Sequence, residues 1–270
     1  MLDLLFLAIA PSVFIFMYIY AKDRYEPEPL HLVLWIFLLG CLSTIPAGLI
    51  EILFADGLFT SAVVAPVVEE ICKFLVVYLF IWKSAEFDEP MDGIVYATAA
   101  SLGFATIENI FYVIDGGMAV GILRAFLSVP GHVIFSCLWG AALGIAKFRP
   151  AKEQAPIILA GLLGAMLLHG IFNFSIEALD IWGVLLILVL VPAGAWWTCR
   201  SIRCAHAHPA SYCSAQQRIV EAGTILPGIP GTGGAAMPPG QLPAEQRFCT
   251  GCGAPLRPGA SFCENCGRKR

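Results

Sequence analysis

Glu69, Glu70 and Lys73 place two adjacent carboxylates and an ammonium inside an otherwise apolar run from about residue 62 to 82. On a helix Lys73 follows Glu69 at i, i+4 and Glu70 at i, i+3, so its ammonium reaches either carboxylate. If the run crosses a membrane, each unpaired charge costs about 2.5–3.5 kcal/mol by insertion scales, and such residues are rare without a task. Two neighbouring carboxylates in a low dielectric cannot both ionise cheaply, while Lys73 favours the charged form of its partner. The combination is a base set to take a proton from water.

Glu51, Glu108, Arg124, His132, His169 and Asn173 also fall within apolar runs. Phe104, Glu108 and Tyr112 form one i, i+4, i+8 stripe, and Arg124, Ser128, His132 and Ser136 form another if helix continues through Pro130. Glu108 adds a third carboxylate, and the two histidines with Asn173 offer neutral donors or metal ligands near a developing oxyanion. The set suits hydrolysis of a carbonyl by activated water. Intramembrane Glu, Lys and His also build ion pathways in transporters, and a lone Glu–Lys pair can be a packing device, so spacing alone leaves catalysis, transport and structure open. Against a transporter, the sequence has no two-fold internal similarity and no matched pair of broken helices. Glu51 is equally an interfacial residue, and Arg124 equally one that snorkels outward.

The elements that must carry these residues are read from composition and hydropathy. The 270 residues are 58% hydrophobic and 13% charged, with mean hydropathy +0.78, where a globular domain has about a quarter charged residues. The chain is therefore expected to be an all-α, polytopic transmembrane bundle. Runs long enough to cross a hydrocarbon core of about 30 Å lie at 2–20, 31–54, 62–82, 92–114, 119–146, 156–176 and 181–199. That gives seven spans, or eight if Pro46 or Pro130-Gly131 marks a re-entrant stretch. Lys22, Arg24, Lys83, Lys147, Arg149, Lys152, Arg200 and Arg203 fall on alternate connections, and the others, around Asp56, Asp115 and 177–180, carry none. By the positive-inside bias the N-terminus is outside and the C-terminus cytoplasmic, in a multi-pass cell-membrane protein. With those directions Glu69, Glu70, Glu108 and His169 share one layer in the outer half of the bilayer, with His132 somewhat deeper. A single intramembrane site is expected. The acidic start, with no Lys or Arg before the first apolar run, predicts no removable signal peptide.

Beyond residue 200 the character changes. Residues 1–200 hold nine Lys/Arg and seventeen Asp/Glu, whereas 201–270 hold seven and three. Residues 204–246, rich in Gly, Pro and Ala, read as a flexible linker between a 1–203 membrane domain and a 247–270 module. In that module Cys249-x-x-Cys252 and Cys263-x-x-Cys266 are separated by ten residues, a spacing that predicts a closed structural zinc site of four thiolates, a zinc ribbon. A module of this size cannot build a core, so the metal supplies the folding energy. Three of the other cysteines, Cys41, Cys72 and Cys137, sit in apolar runs, so reduced thiols are expected rather than a secreted disulfide framework. Arg247, Arg257, Arg268, Lys269 and Arg270 make the ribbon mildly basic, but only Phe248 and Phe262 could stack on bases, so nucleic acid is not the expected partner. Docking to a cytoplasmic protein or to the anionic inner leaflet is. Cys199, Cys204, His206, His208 and Cys213 are too irregularly spaced to predict a second metal site.

Three segments carry a family resemblance. They are the stretch from Ala65 to Lys73 with Glu69-Glu70-x-x-Lys73, the stretch from Met91 to Tyr96, and Phe104-x-x-x-Glu108 with Asn109 through Tyr112. Together with Arg124, His132 and the run from His169 through Asn173 to Phe174, they resemble the PrsW family of intramembrane proteases, over most of residues 1–200. That family is similar to the CAAX prenyl proteases and bacteriocin-processing membrane peptidases. The resemblance implies hydrolysis of a peptide bond of a membrane protein or peptide substrate. Glu69 and Glu70 would activate the water, His132 and Glu108 would assist or bind a metal, and His169 with Asn173 would stabilise the oxyanion. A catalytic metal is left open between metallopeptidase and glutamate peptidase. In some members the substrate is a membrane-bound anti-sigma factor cut on its outer side, the first cut of a signalling cascade. The alternative is a transporter or scaffold whose ribbon recruits a cytoplasmic partner.

Overall fold

Residues 2–23, 27–207, 247–248 and 255–256 are described by the structure, a computed structural model. The chain divides into two compact units, Met1–His206 and Ala207–Arg270. The first is all helical: α1 (Leu2–Tyr20), α2 (Leu30–Glu51), α3 (Ala65–Phe80, entered through a π-helical turn at Thr60–Val64), α4 (Pro90–Phe126), α5 (Ser128–Lys147), α6 (Ala151–Ala178) and α7 (Asp180–Ala207). In the second unit the described residues form two short strands, β1 (Arg247–Phe248) and β2 (Pro255–Leu256), paired antiparallel with Arg247 opposite Leu256. The ribbon cysteines Cys249, Cys252, Cys263 and Cys266 and most of the expected linker lie outside the described residues. α7 continues through Ala207, four residues past the expected domain end, since Cys204-Ala205-His206-Ala207 contains no breaker.

Five helical stretches among the described residues are long and apolar enough to cross a membrane: Leu2–Tyr20, Leu30–Glu51, Pro90–Lys147, Ala151–Ala178 and Ile181–Arg203. The protein is a multi-pass membrane protein. Large apolar side chains such as Phe14, Leu49, Phe111, Phe126 and Trp182 are exposed along the helices. The interior holds carboxylates, histidines and Lys73 beside apolar side chains such as Trp139, Met91 and Leu102. Bilayer hydrocarbon satisfies the outer faces, so the distinction between inside and outside is one of polarity and small residues.

α4 is the central helix, buried almost continuously from Met91 to Thr106 and packed on α1, α2 and α5. Small residues make this possible. A side chain at Gly93 would run into the carbonyl of Gly140 on α5, and one at Gly103 into the carbonyl of Phe37 on α2. At Gly117 the backbone takes φ 72° and ψ −162°, and the helical path breaks there. A continuous Pro90–Lys147 helix would be about 87 Å long at 1.5 Å per residue, nearly three hydrocarbon thicknesses. Gly117 resolves this by turning the chain back, so that Arg124 lies beside Asn109, fifteen residues earlier. The return passes almost smoothly through Leu127 into α5, with Pro130 in the first turn, where a missing amide is tolerated. Pro46 leaves α2 unbroken from Leu30 to Glu51.

Candidate active site

α3 and α6 approach closely because of one proline and one glycine. Pro66 has no amide to donate to the carbonyl of Ala62, and that carbonyl faces Gly170 of α6, where a Cβ would crowd it. The neighbouring residue, His169, is thereby brought against α3: its Nδ1 lies 3.1 Å from Oε1 of Glu70. The His169 ring stacks on Phe135 with centroids 4.7 Å apart and planes 20° apart. On α5 the backbone carbonyl of His132 accepts a hydrogen bond from Ser101 Oγ of α4, 2.8 Å away. The His132 ring then points its Nε2 at Glu108 Oε2, 2.7 Å away, and its Nδ1 at Lys73 Nζ, 3.2 Å away.

The two glutamates have different surroundings. Glu70 is wholly buried, and both of its oxygens are used: Oε1 accepts from Lys73 Nζ at 2.6 Å besides meeting His169, and Oε2 accepts from Trp139 Nε1 at 2.9 Å and Ser136 Oγ at 3.3 Å. Glu69 has one long contact with Lys73, 3.4 Å, and lines a cavity of about 1200 Å³ together with Glu108, His132, His169 and Asn173. Glu70 and Lys73 stand behind that wall. The ammonium of Lys73 also lies over the ring of Phe104, 4.8 Å from its centroid.

Glu69, Glu70, Lys73, Glu108, His132 and His169 are thus one connected cluster drawn from α3, α4, α5 and α6. Asn173 lines the same cavity and donates Nδ2 to the carbonyl of Ser61, 2.9 Å away. Glu51 lines it too, from the end of α2. Arg124, which the sequence leaves between a site residue and an outward-snorkelling one, pairs with Glu108 at 3.2 Å. Trp139 and Ser61 are not singled out by sequence, and Asn109 only as part of the family-bearing stretch after Glu108. Asn109 carried a signal, an amide within an apolar span, whereas an indole or hydroxyl in such a span reads as ordinary packing.

One oxygen of Glu69 and one nitrogen each of His132 and His169 lie within 4.8 Å of one another, all buried. A carboxylate with two imidazoles is a known catalytic donor set for a divalent ion with an open position. The second nitrogen of each ring is held by a carboxylate, His132 Nε2 by Glu108 and His169 Nδ1 by Glu70, as metal-ligating histidines usually are. Lys73 competes for Nδ1 of His132, but its shortest contact is with Glu70, so it can yield without leaving the cluster. The residues fit a divalent metal.

The sequence profile described as PrsW family intramembrane metalloprotease matches residues 28–197. The chain is 39% identical over 203 residues to a protein named Protease PrsW from Geobacillus kaustophilus, covering 73% of this chain and 89% of that one. It is 34% identical over 195 residues to Protease PrsW of Bacillus subtilis, covering 70% and 88%. With Protease PrsW of Clostridioides difficile the identity is 35% over 204 residues, covering 70% and 86%. No solved structure matches.

Proposed function

Because this chain belongs to the PrsW family of intramembrane metalloproteases, we propose that it hydrolyses a peptide bond of a membrane-protein substrate at the wall formed by Glu69, His132 and His169. The observation that carries this reading is the asymmetry of the glutamates: Glu69 is presented to the cavity, and Glu70 is held behind it by four donors. Glu69 is then the carboxylate that meets the attacking water. Glu70 anchors Lys73 and the ring of His169, and Glu108 anchors the ring of His132. Asn173, beside His169 on α6, is the amide available near the developing oxyanion. Glu69, His132 and His169 would hold a divalent ion, which when bound supplies Lewis-acid polarisation of the carbonyl and a more acidic water.

In the finer reading Pro90–Lys147 is two crossings and residues 60–80 another, giving seven spans with the N-terminus outside and the C-terminus cytoplasmic. The site then lies in the outer half of the bilayer, where a substrate would receive the first cut of a signalling cascade. Two sets of contacts support these sides. Ser61 Oγ donates to Glu177 at one end, and Lys147 Nζ donates to the carbonyl of Trp82 at the other. A ribbon at the C-terminus would meet a cytoplasmic partner.

Cleavage of a single-pass peptide substrate in proteoliposomes tests the activity. Glu69→Gln should lower the rate by about 10²-fold or more, the typical contribution of a positioned acid–base group. Glu70→Gln should also lose cleavage, through displaced Lys73 and His169. Full activity in a correctly inserted Glu69→Gln protein would end the reading.

A further inference from the structure

Arg124 is an intramembrane cation that the proteolytic reading does not use, and its surroundings are built. Its Nε donates to Asn109 Oδ1 at 2.8 Å, its Nη2 lies 3.2 Å from Glu108 Oε1, and its guanidinium covers the ring of Tyr112 at 4.0 Å. Asn109 is wholly buried and donates Nδ2 to the carbonyl of Ala8 in α1, 2.9 Å away. With the amide nitrogen committed to a carbonyl, the only end of Asn109 that faces Arg124 is the acceptor. The guanidinium is therefore fixed from one side by α1 through Asn109, and from below by the Tyr112 ring.

The consequence passes along Glu108. Oε1 meets Arg124, which leaves Oε2 for Nε2 of His132, 2.7 Å away. A 2.7 Å contact with a carboxylate oxygen favours the proton on Nε2 and leaves the lone pair on Nδ1, which faces Lys73 Nζ at 3.2 Å and Glu69 Oε2 at 3.9 Å. We propose that Arg124, braced by Asn109, is a positioning residue: it fixes the Glu108 carboxylate and through it the orientation and tautomer of His132 that bind a divalent metal. This rests on the proteolytic reading of the site. A clamp between helices would need only the ion pair, whereas this role needs a planar group that serves Asn109 and Glu108 at once, which an ammonium does less well.

The test uses the full chain in lipid nanodiscs with cobalt(II) as the probe, whose visible spectrum separates a nitrogen–oxygen site from the tetrathiolate site expected in the tail. Arg124→Gln should weaken cobalt binding at the nitrogen–oxygen site by about 10–100-fold, the usual effect of losing an outer partner of a metal ligand. It should lower kcat on a peptide substrate by a larger factor than it raises KM, since the role runs through His132 although the side chain also lines the cavity. Arg124→Lys should recover part of both, and Asn109→Ala should move both in the same direction by less. Cobalt affinity and kcat of Arg124→Gln within about two-fold of the parent would overturn the role. So would losses that follow a lowered unfolding midpoint and are equal in Arg124→Lys. If Arg124→Gln does not insert, Asn109→Ala and Arg124→Lys decide by the same readings. Glu69→Gln run in parallel keeps the two conclusions apart. An active Glu69→Gln removes the proteolytic reading, while an inactive one beside a parent-like Arg124→Gln removes the positioning role alone.

Discussion

Glu69 and Glu70 are neighbours in the chain but lie about 100° apart around α3, and that rotation separates a carboxylate facing the cavity from one enclosed by Lys73, His169, Ser136 and Trp139. One buried carboxyl outside the spans is Glu28, between α1 and α2. It accepts from the Tyr96 hydroxyl, its amide donates to Asp23 at 3.0 Å, and its carbonyl accepts from Tyr20 at 2.9 Å. Burial pushes the Glu28 carboxyl up to about 7, against the Tyr96 hydrogen bond, which favours ionisation. A folded value above the unfolded one means that the stability is fully present below about pH 4.5 and lost as pH rises through about 7. At about 1.4 kcal/mol per unit the loss is on the order of 3 kcal/mol. Unfolding midpoints of the detergent-solubilised protein should therefore fall between pH 5 and 8, and Glu28→Gln should flatten that slope; an unchanged slope in the variant would refute the assignment. The spacing Glu69-Glu70-x-x-Lys73 reveals that the three groups can touch. It does not reveal which glutamate faces the cavity, because that depends on Trp139 and Ser136, sixty-six or more residues away and indistinguishable in sequence from lipid-facing or packing side chains.

Among the elements, α4 and its return carry the most consequence. Gly117 adopts φ 72° and ψ −162°, a region open essentially to glycine alone and costing other residues about 1–3 kcal/mol. Gly117→Ala should lower stability by about 1–3 kcal/mol and reduce cleavage as Arg124 shifts from Glu108. Gly48→Ala, in the last turn of α2 with no atom near the added methyl, should be neutral or stabilising by up to about 1 kcal/mol. Thermal unfolding of both in one detergent checks the pair, and equal losses would contradict it. The apolar runs located most helices within a few residues, since hydropathy sets where a span can lie. What they missed was that 115–118, left as a connection between two runs, is helix on either side of Gly117 with no loop between. Nothing in composition separates a loop from a sharp break between two helices; only the dihedral angles at Gly117 do.

For the molecule as a whole, the alternation of charge between connections and the contacts at each end of the bundle support the same pair of sides. With a thiol reagent that does not cross membranes, Asp115→Cys in intact cells should label directly and Lys83→Cys only after permeabilisation; the reverse would invert the orientation. The family was legible because its motifs are polar residues where apolar ones are cheaper, each on its own helix. The supporting shell, Asn109 and Trp139 among it, depends on which helices adjoin and so emerges only with packing. The reversal at Gly117 also bears on how the chain enters the bilayer. Glu108 and Arg124 would each cost about 2.5–3.5 kcal/mol alone in hydrocarbon, and they neutralise each other only when the two limbs of the turn lie side by side. The unit that the membrane accepts is then the hairpin, so the first limb should wait at the insertion machinery until the second has been synthesised.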